Sequence, residues 1–230
     1  MENRLILSFL AELSQNNSME WMHASKPRYV QAKAAFEELL SKLMSEVAPY
    51  DASIALLSPG ELVFRMNRDT RFSHDKSPYN PSFRAHISSR GRTPIPVGYY
   101  LCIKPGASFL GGGLFASQFP SATAIIRDAI VEKEEMFRAI IEAPAFAKHF
   151  TMVGERLKGV PNGYDKMHPL AEYIKHKAWA VEYPISDECF SDDAAFLSLA
   201  GEQYRHMKPF NDFLNEALAR GQFIMPERPK

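Results

Sequence analysis

Apolar residues recur along this chain at two different periods, and the changes of period divide it into three parts. Over residues 3–15, Leu5, Phe9, Leu10 and Leu13 fall at helical spacing, and Asn16-Asn17-Ser18 ends the run with turn-forming side chains. After Trp21, Pro27 stands where proline suits a first helical turn. Tyr29, Ala32, Phe36, Leu39, Leu40, Leu43 and Val47 then form one stripe that stops at Pro49. From about residue 53 the period shortens to two. Leu62, Phe64 and Met66 alternate with Val63 and Arg65, and Phe83, Ala85 and Ile87 alternate with Arg84, His86 and Ser88. A third run spans 97–104, between the turn-rich segment Ser89–Pro94 and the Pro105-Gly106 turn, and Ser108 to Phe115 returns as a fourth. Links this short cannot make a parallel crossover, so the middle of the chain reads as an antiparallel meander.

Helical spacing resumes with Ser121 as N-cap, carrying Ile125, Ile126, Ala129, Ile130, Phe137, Ile140 and Ile141 on one side until Pro144. Residues 151–168 read as loop with one strand, His168-Pro169 opens a short helix through Lys177, and Ala178 to Ile185 is a further strand. Ser191-Asp192-Asp193 starts a closing helix whose stripe runs from Phe196 to Leu218, with an interruption expected at Pro209. Helices at both ends and strands between them predict an α+β fold, and no linker or repeat divides residues 1–230, so a single domain is expected.

Composition narrows the function classes. Of 230 residues, 46% are hydrophobic and 23% charged, which excludes disordered, collagen-like and coiled-coil chains. Lys and Arg number 27, as do Asp and Glu, so no global field draws the chain to nucleic acid or to an anionic membrane. No apolar run approaches the ~18 residues that span a bilayer, and the N-terminus lacks a signal-like apolar region. Cys102 and Cys189 form no C-x-x-C pair. These features predict a reducing, cytoplasmic setting without a stabilising disulfide. They leave the oligomeric state open.

Charge is nevertheless gathered locally. Between Phe64 and Arg92 stand seven cations, Arg65, Arg68, Arg71, Lys76, Arg84, Arg90 and Arg92, against Asp69 and Asp75: seven less two, an excess of five. Guanidinium forks bind carboxylate or phosphate through paired hydrogen bonds, and interleaved aspartates orient them. Strand alternation places Arg84 and His86 together, with Arg65 on the same face if 62–66 is a strand. The alternative is a structural network in which the aspartates pin a long loop.

This segment resembles a family catalogued as domain of unknown function 2461, whose signature F-R-x-x-R-D-x-R-F-S-x-D-K-x-P-Y is similar to Phe64 to Tyr79. The resemblance extends to Phe9-Leu10, Asn16-Asn17, Trp21 and Lys26, to Gly98-Tyr99-Tyr100-Leu101 and Gly111-Gly112-Gly113-Leu114, and to Leu157-Lys158, Pro161, Gly163-Tyr164-Asp165, His168-Pro169 and Lys177. It implies no reaction. Asn80 and Asn162 stand where lysine is usual, which implies weaker or different anion binding if those lysines take part.

Other motifs point elsewhere or nowhere. Gly111-Gly112-Gly113 has neither P-loop nor dinucleotide spacing, and suits a bulge or a close backbone approach. The seven histidines show no metal-ligand spacing, no nucleophile elbow is present, and no cofactor is specified. The expectation is a protein that binds a phosphate- or carboxylate-bearing small molecule. Arg65, Arg68, Arg71, Lys76 and Arg84 are the expected contacts, Asp69 and Asp75 the orienters, and Tyr79 and Tyr99 the walls. If it is an enzyme, Asp75 or His168 is the candidate for proton transfer. The rival expectation is a noncatalytic module whose basic segment docks an acidic partner or nucleic acid, with nucleic acid disfavoured by the zero net charge.

Overall fold

The computed structural model describes residues 2–54, 57–115 and 119–223. Helices α1 (Glu2–Gln15), α2 (Met19–Ala24), α3 (Lys26–Val47) and α4 (Pro59–Leu62) precede β1 (Phe83–Ile87), β2 (Gly98–Ile103) and β3 (Ser108–Leu114). Then come α5 (Pro120–Glu132), α6 (Glu134–Ile141), α7 (Pro144–His149), β4 (Thr151–Val153), α8 (Ala171–Ile174), β5 (Trp179–Ile185) and α9 (Asp193–Leu218). The fold is α+β, with one antiparallel sheet in the order β1-β2-β3-β5-β4. Its far edge pairs Thr151 with Glu182 and Val153 with Ala180. Among the described residues no helix is long and apolar enough to cross a membrane.

Contacts divide the chain into two compact units. The first takes residues up to Arg92, Tyr100–Leu110 and Pro184–Glu202; the second takes Thr93–Tyr99, Gly111–Tyr183 and the chain from Gln203 onward. In the first, α3 buries Ala32, Ala35, Phe36, Leu39, Leu40, Leu43, Met44 and Val47 on one face, the expected stripe almost residue for residue. Its aromatic end is a cluster. Phe36 stacks on Phe83 at 5.2 Å, Tyr29 on Phe83 at 6.3 Å, and Phe9 lies 5.9 Å from both Trp21 and Tyr29. Such ring pairs fix α1, α2, α3 and β1 to one another beyond the area they bury.

In the second unit, α9 carries Asn211 and Asn215 one turn apart, and each amide serves a backbone edge. Asn211 accepts from Gly113 N–H at 2.7 Å and donates to the Gly98 carbonyl at 3.1 Å; Asn215 makes the same pair of bonds with Val97, at 2.8 and 3.0 Å. The triple glycine is therefore a close backbone approach. A Cβ on Gly112 would stand 3.1 Å from both Asn211 Oδ1 and Met207 Sδ, and one on Gly113, at φ +86°, would meet the Trp179 carbonyl oxygen at 2.2 Å.

Several expected elements differ. The strand expected over 62–66 does not form: Leu62 ends the helical turn α4, which a Ser58–Glu61 capping box fixes, and 63–66 keeps only an isolated bridge from Val63 to Ala85. Arg65 consequently lies on no strand, and Phe64 takes the place beside Arg84. The helix expected from Ser121 to Pro144 begins instead at Pro120 and breaks at Lys133, and Pro144 opens α7, where its missing N–H costs nothing. The helix expected through Lys177 ends at Ile174, since 155–157 pairs with 175–177: Leu157 N–H donates to the Lys175 carbonyl at 2.8 Å and Lys177 N–H to that of Glu155 at 2.9 Å. Pro209 does not interrupt α9. Its ring faces water while Met207, Phe210, Phe213 and Leu214 hold the helix by burial.

Candidate functional site

The arginine-rich segment is a loop closed like a hairpin. Asn67 and Tyr79 face each other in an antiparallel bridge, flanked by Arg68 N–H to the Pro78 carbonyl at 2.9 Å and Asn80 N–H to that of Met66 at 2.7 Å. In this pairing the backbone N–H and C=O of Tyr79 point away from the Met66 side. Asn17, in the link between α1 and α2, takes both: its amide accepts from Tyr79 N–H at 3.1 Å and donates to the Tyr79 carbonyl at 2.8 Å. Asn80 also accepts from the Ser82 hydroxyl at 3.0 Å.

Inside the loop the charges pair with one another. Arg71 grips Asp69 through Nε at 3.0 Å and Nη2 at 2.6 Å, and Arg68 pairs with Asp75. Lys76 Nζ donates to the Thr70 carbonyl at 3.0 Å, and Ser77 N–H caps Asp75 at 2.9 Å. The Arg71 guanidinium and its backbone N–H hold the Asp69 carboxyl down to about 2. The Ser77 hydroxyl and N–H, with Arg68, hold Asp75 lower still. Carboxylates this acidic make feeble proton acceptors at neutral pH. At the tip, Phe72 is 95% exposed, with the Arg71 guanidinium 5.9 Å from its ring centre.

Arg65 is exposed. Tyr99 is buried in the second unit against Tyr204, at 5.0 Å. His168, also in the second unit, has both ring nitrogens engaged: Nδ1 accepts from Leu170 N–H at 3.0 Å and Nε2 lies 3.4 Å from Glu134. Asp165 caps Met167 N–H at 2.9 Å, and Lys177 pairs with Glu155 at 3.0 Å. The Asp165 and His168 caps close local turns, whereas Lys177–Glu155 and His168–Glu134 tie together segments distant in sequence.

The base of the arginine loop lines a cleft of about 220 Å³. Met66, Asn67 and Tyr79 form one side; Met22 and His23 from α2, with Lys26 and Tyr29 from α3, form the other. Tyr29 is held in place by Phe9 and Phe83, and Tyr79 by its backbone bonds to Asn17. Arg28 stands beside this cleft in sequence but is spent on Glu12, which it grips through both Nη atoms. Of the lining, only Tyr79 was expected from the sequence. Met22 and His23 lie on α2, Lys26 and Tyr29 on α3 and Asn67 in the loop itself, and the Asn17 amide, in the link between α1 and α2, bonds to the loop at Tyr79. Among the described residues no group of three or more His, Cys, Asp or Glu is arranged to hold a metal ion.

On the other face of β1, Arg84 is half-buried with its guanidinium 5.6 Å from the Phe64 ring centre. Phe64 lies parallel to Tyr100 at 6.5 Å, and Tyr100 to the fully buried His86 at 4.2 Å. Burial pushes the Tyr100 hydroxyl well above its ordinary range, so it stays a neutral phenol.

The family model described as conserved hypothetical protein (DUF2461) matches residues 5–213, and the chain belongs to that family. No curated protein and no solved structure matches it.

Proposed function

We propose that the chain binds a small anionic molecule with an apolar body, a carboxylate being the simplest case, in the cleft between the α2–α3 junction and the arginine loop. The observation that carries this reading is the lining. Four apolar or aromatic side chains, Met22, Tyr29, Met66 and Tyr79, share it with one amide and two basic groups, His23 and Lys26, and with no carboxylate. Lys26 opens the 22-residue helix α3, whose N-terminal end favours negative charge. The volume falls below the ~300–1,000 Å³ of drug-sized sites, so the occupant is small. The reading is confined to binding.

Calorimetry with benzoate and phenylacetate, against benzyl alcohol as the uncharged analogue, tests it. The carboxylates bind and the alcohol binds at least about tenfold more weakly, since a charge-assisted hydrogen bond is worth about 1.5–3 kcal/mol. Lys26→Met erases the difference. Equal affinity for acid and alcohol, or an unaffected Lys26→Met variant, overturns the reading.

One observation favours a second reading, the exposed ring of Phe72 held out beside Arg71. A module that docks an acidic partner through this tip loses binding in Phe72→Ala and on adding salt, while the cleft is untouched.

A further inference from the structure

We infer that Arg84 forms a second, separate site for an oxyanion on the opposite face of β1. Of the cations in the arginine-rich segment, Arg68 and Arg71 spend their charge on Asp75 and Asp69, within the exposed loop. Arg84 is different. It is half-buried on β1, no carboxylate pairs with it among the described residues, and its Nε is sealed from solvent with no hydrogen-bond partner. Removing a cation from water without an opposite charge is costly, and a cation–π contact with Phe64 offsets only part of that cost. A chain keeps such a group where its counter-charge arrives with a ligand.

The surroundings hold the guanidinium ready. The Arg84 carbonyl accepts from Phe64 N–H at 2.8 Å, and Phe64 is the first of three near-parallel rings, followed by Tyr100 and His86, that back the arginine. A sealed Nε leaves the end-on fork of the two Nη groups, which matches two oxygens of a carboxylate or a phosphate. The site is distinct from the cleft because strand neighbours point to opposite faces. Phe83 faces Tyr29 and Phe36, on the cleft side, and Arg84 faces away from them.

Thermal unfolding of the full chain at constant ionic strength, with inorganic phosphate or acetate replacing chloride, tests this. The wild-type Tm rises saturably with at least one of the two anions, and which one it is distinguishes phosphate from carboxylate chemistry. Arg84→Met abolishes the rise, and in chloride alone it melts above wild type, because an uncompensated cation has been removed. Lys26→Met keeps the rise. A wild-type Tm that stays flat, or a rise that persists in Arg84→Met, overturns the inference; a rise lost in Lys26→Met alone does so while leaving the cleft reading standing. Should Arg84→Met fail to fold, the Arg84 Nε–Hε resonance of the wild type gives the answer: it shifts on titration with the anion, and an unmoved resonance overturns the site.

Discussion

Asn17→Ala tests whether the cleft is built as described. The Asn17 side chain acts as a one-residue mock strand: it meets the N–H and the C=O of Tyr79 at 3.1 and 2.8 Å, the two groups that the Asn67–Tyr79 bridge turns outward. Tyr79 is only 9% exposed, so alanine leaves both backbone groups poorly hydrated. Each lost bond costs about 1–1.5 kcal/mol at a partly buried site, for a total of about 2–3 kcal/mol. With a urea m-value of about 2–3 kcal/mol/M, the midpoint falls by about 1 M. Asn17→Asp restores only half, since its carboxylate still accepts from Tyr79 N–H but opposes the Tyr79 carbonyl. Both variants weaken benzoate binding, because the Tyr79 wall is no longer fixed against Tyr29. A midpoint within about 0.2 M of wild type, at unchanged m, refutes the reasoning.

Other expectations follow from single contacts. Gly113→Ala costs about 4 kcal/mol or more and gives little soluble protein, because its Cβ meets the Trp179 carbonyl at 2.2 Å; Gly106→Ala, at φ +70° with open space, costs only about 1 kcal/mol by urea unfolding. Arg71→Ala leaves the urea midpoint essentially unchanged, as its pair with Asp69 is 78% exposed on the arginine side. The Asp69 carboxyl is held near 2, below its unfolded value, so its contribution is complete above about pH 4 and lost as pH falls through 2; because the pair is solvent-exposed that contribution is small, and Asp69→Asn barely changes the acid limb of the stability curve. Burial lowers the pKa of His176, so the unfolded chain takes up that proton first and stability declines as pH falls below about 6.5; His176→Gln removes this decline.

The fold was largely legible because its main elements obey one period each. The α3 stripe and the alternation at Phe83, Ala85 and Ile87 survive in the structure because burial on one face is what both patterns encode. Errors fell where local chemistry outweighed period: the Ser58–Glu61 capping box draws Leu62 into a helical turn, and Pro144, expected as a stop, opens α7. The candidate cleft was mostly illegible. Asn17 and Lys26 stood in the segment that resembles the family's opening, but nothing in their spacing says that an amide 62 residues from Tyr79 completes its backbone bonding. Long-range pairing of this kind leaves no local period to detect.

The charge excess of the arginine-rich segment divides by burial. Where water is near, at the loop, cation and carboxylate are interleaved two to seven residues apart and satisfy each other, so their work is to fix the chain path that carries Asn67 and Tyr79 to the cleft. Arg92 serves the same end by donating to the Val63 carbonyl at 2.9 Å, which holds the strand-like bridge beside β1. At Arg84, by contrast with the loop, water is partly excluded and no carboxylate pairs with the side chain among the described residues. That is the reverse of what stability alone favours, since a buried cation gains most from a fixed partner. The placement makes sense if the partner is mobile, and it predicts that introducing a carboxylate within reach of the Arg84 Nη groups raises Tm in chloride and abolishes the response to phosphate and acetate alike. A variant so stabilised that still responds to either anion places the anion elsewhere.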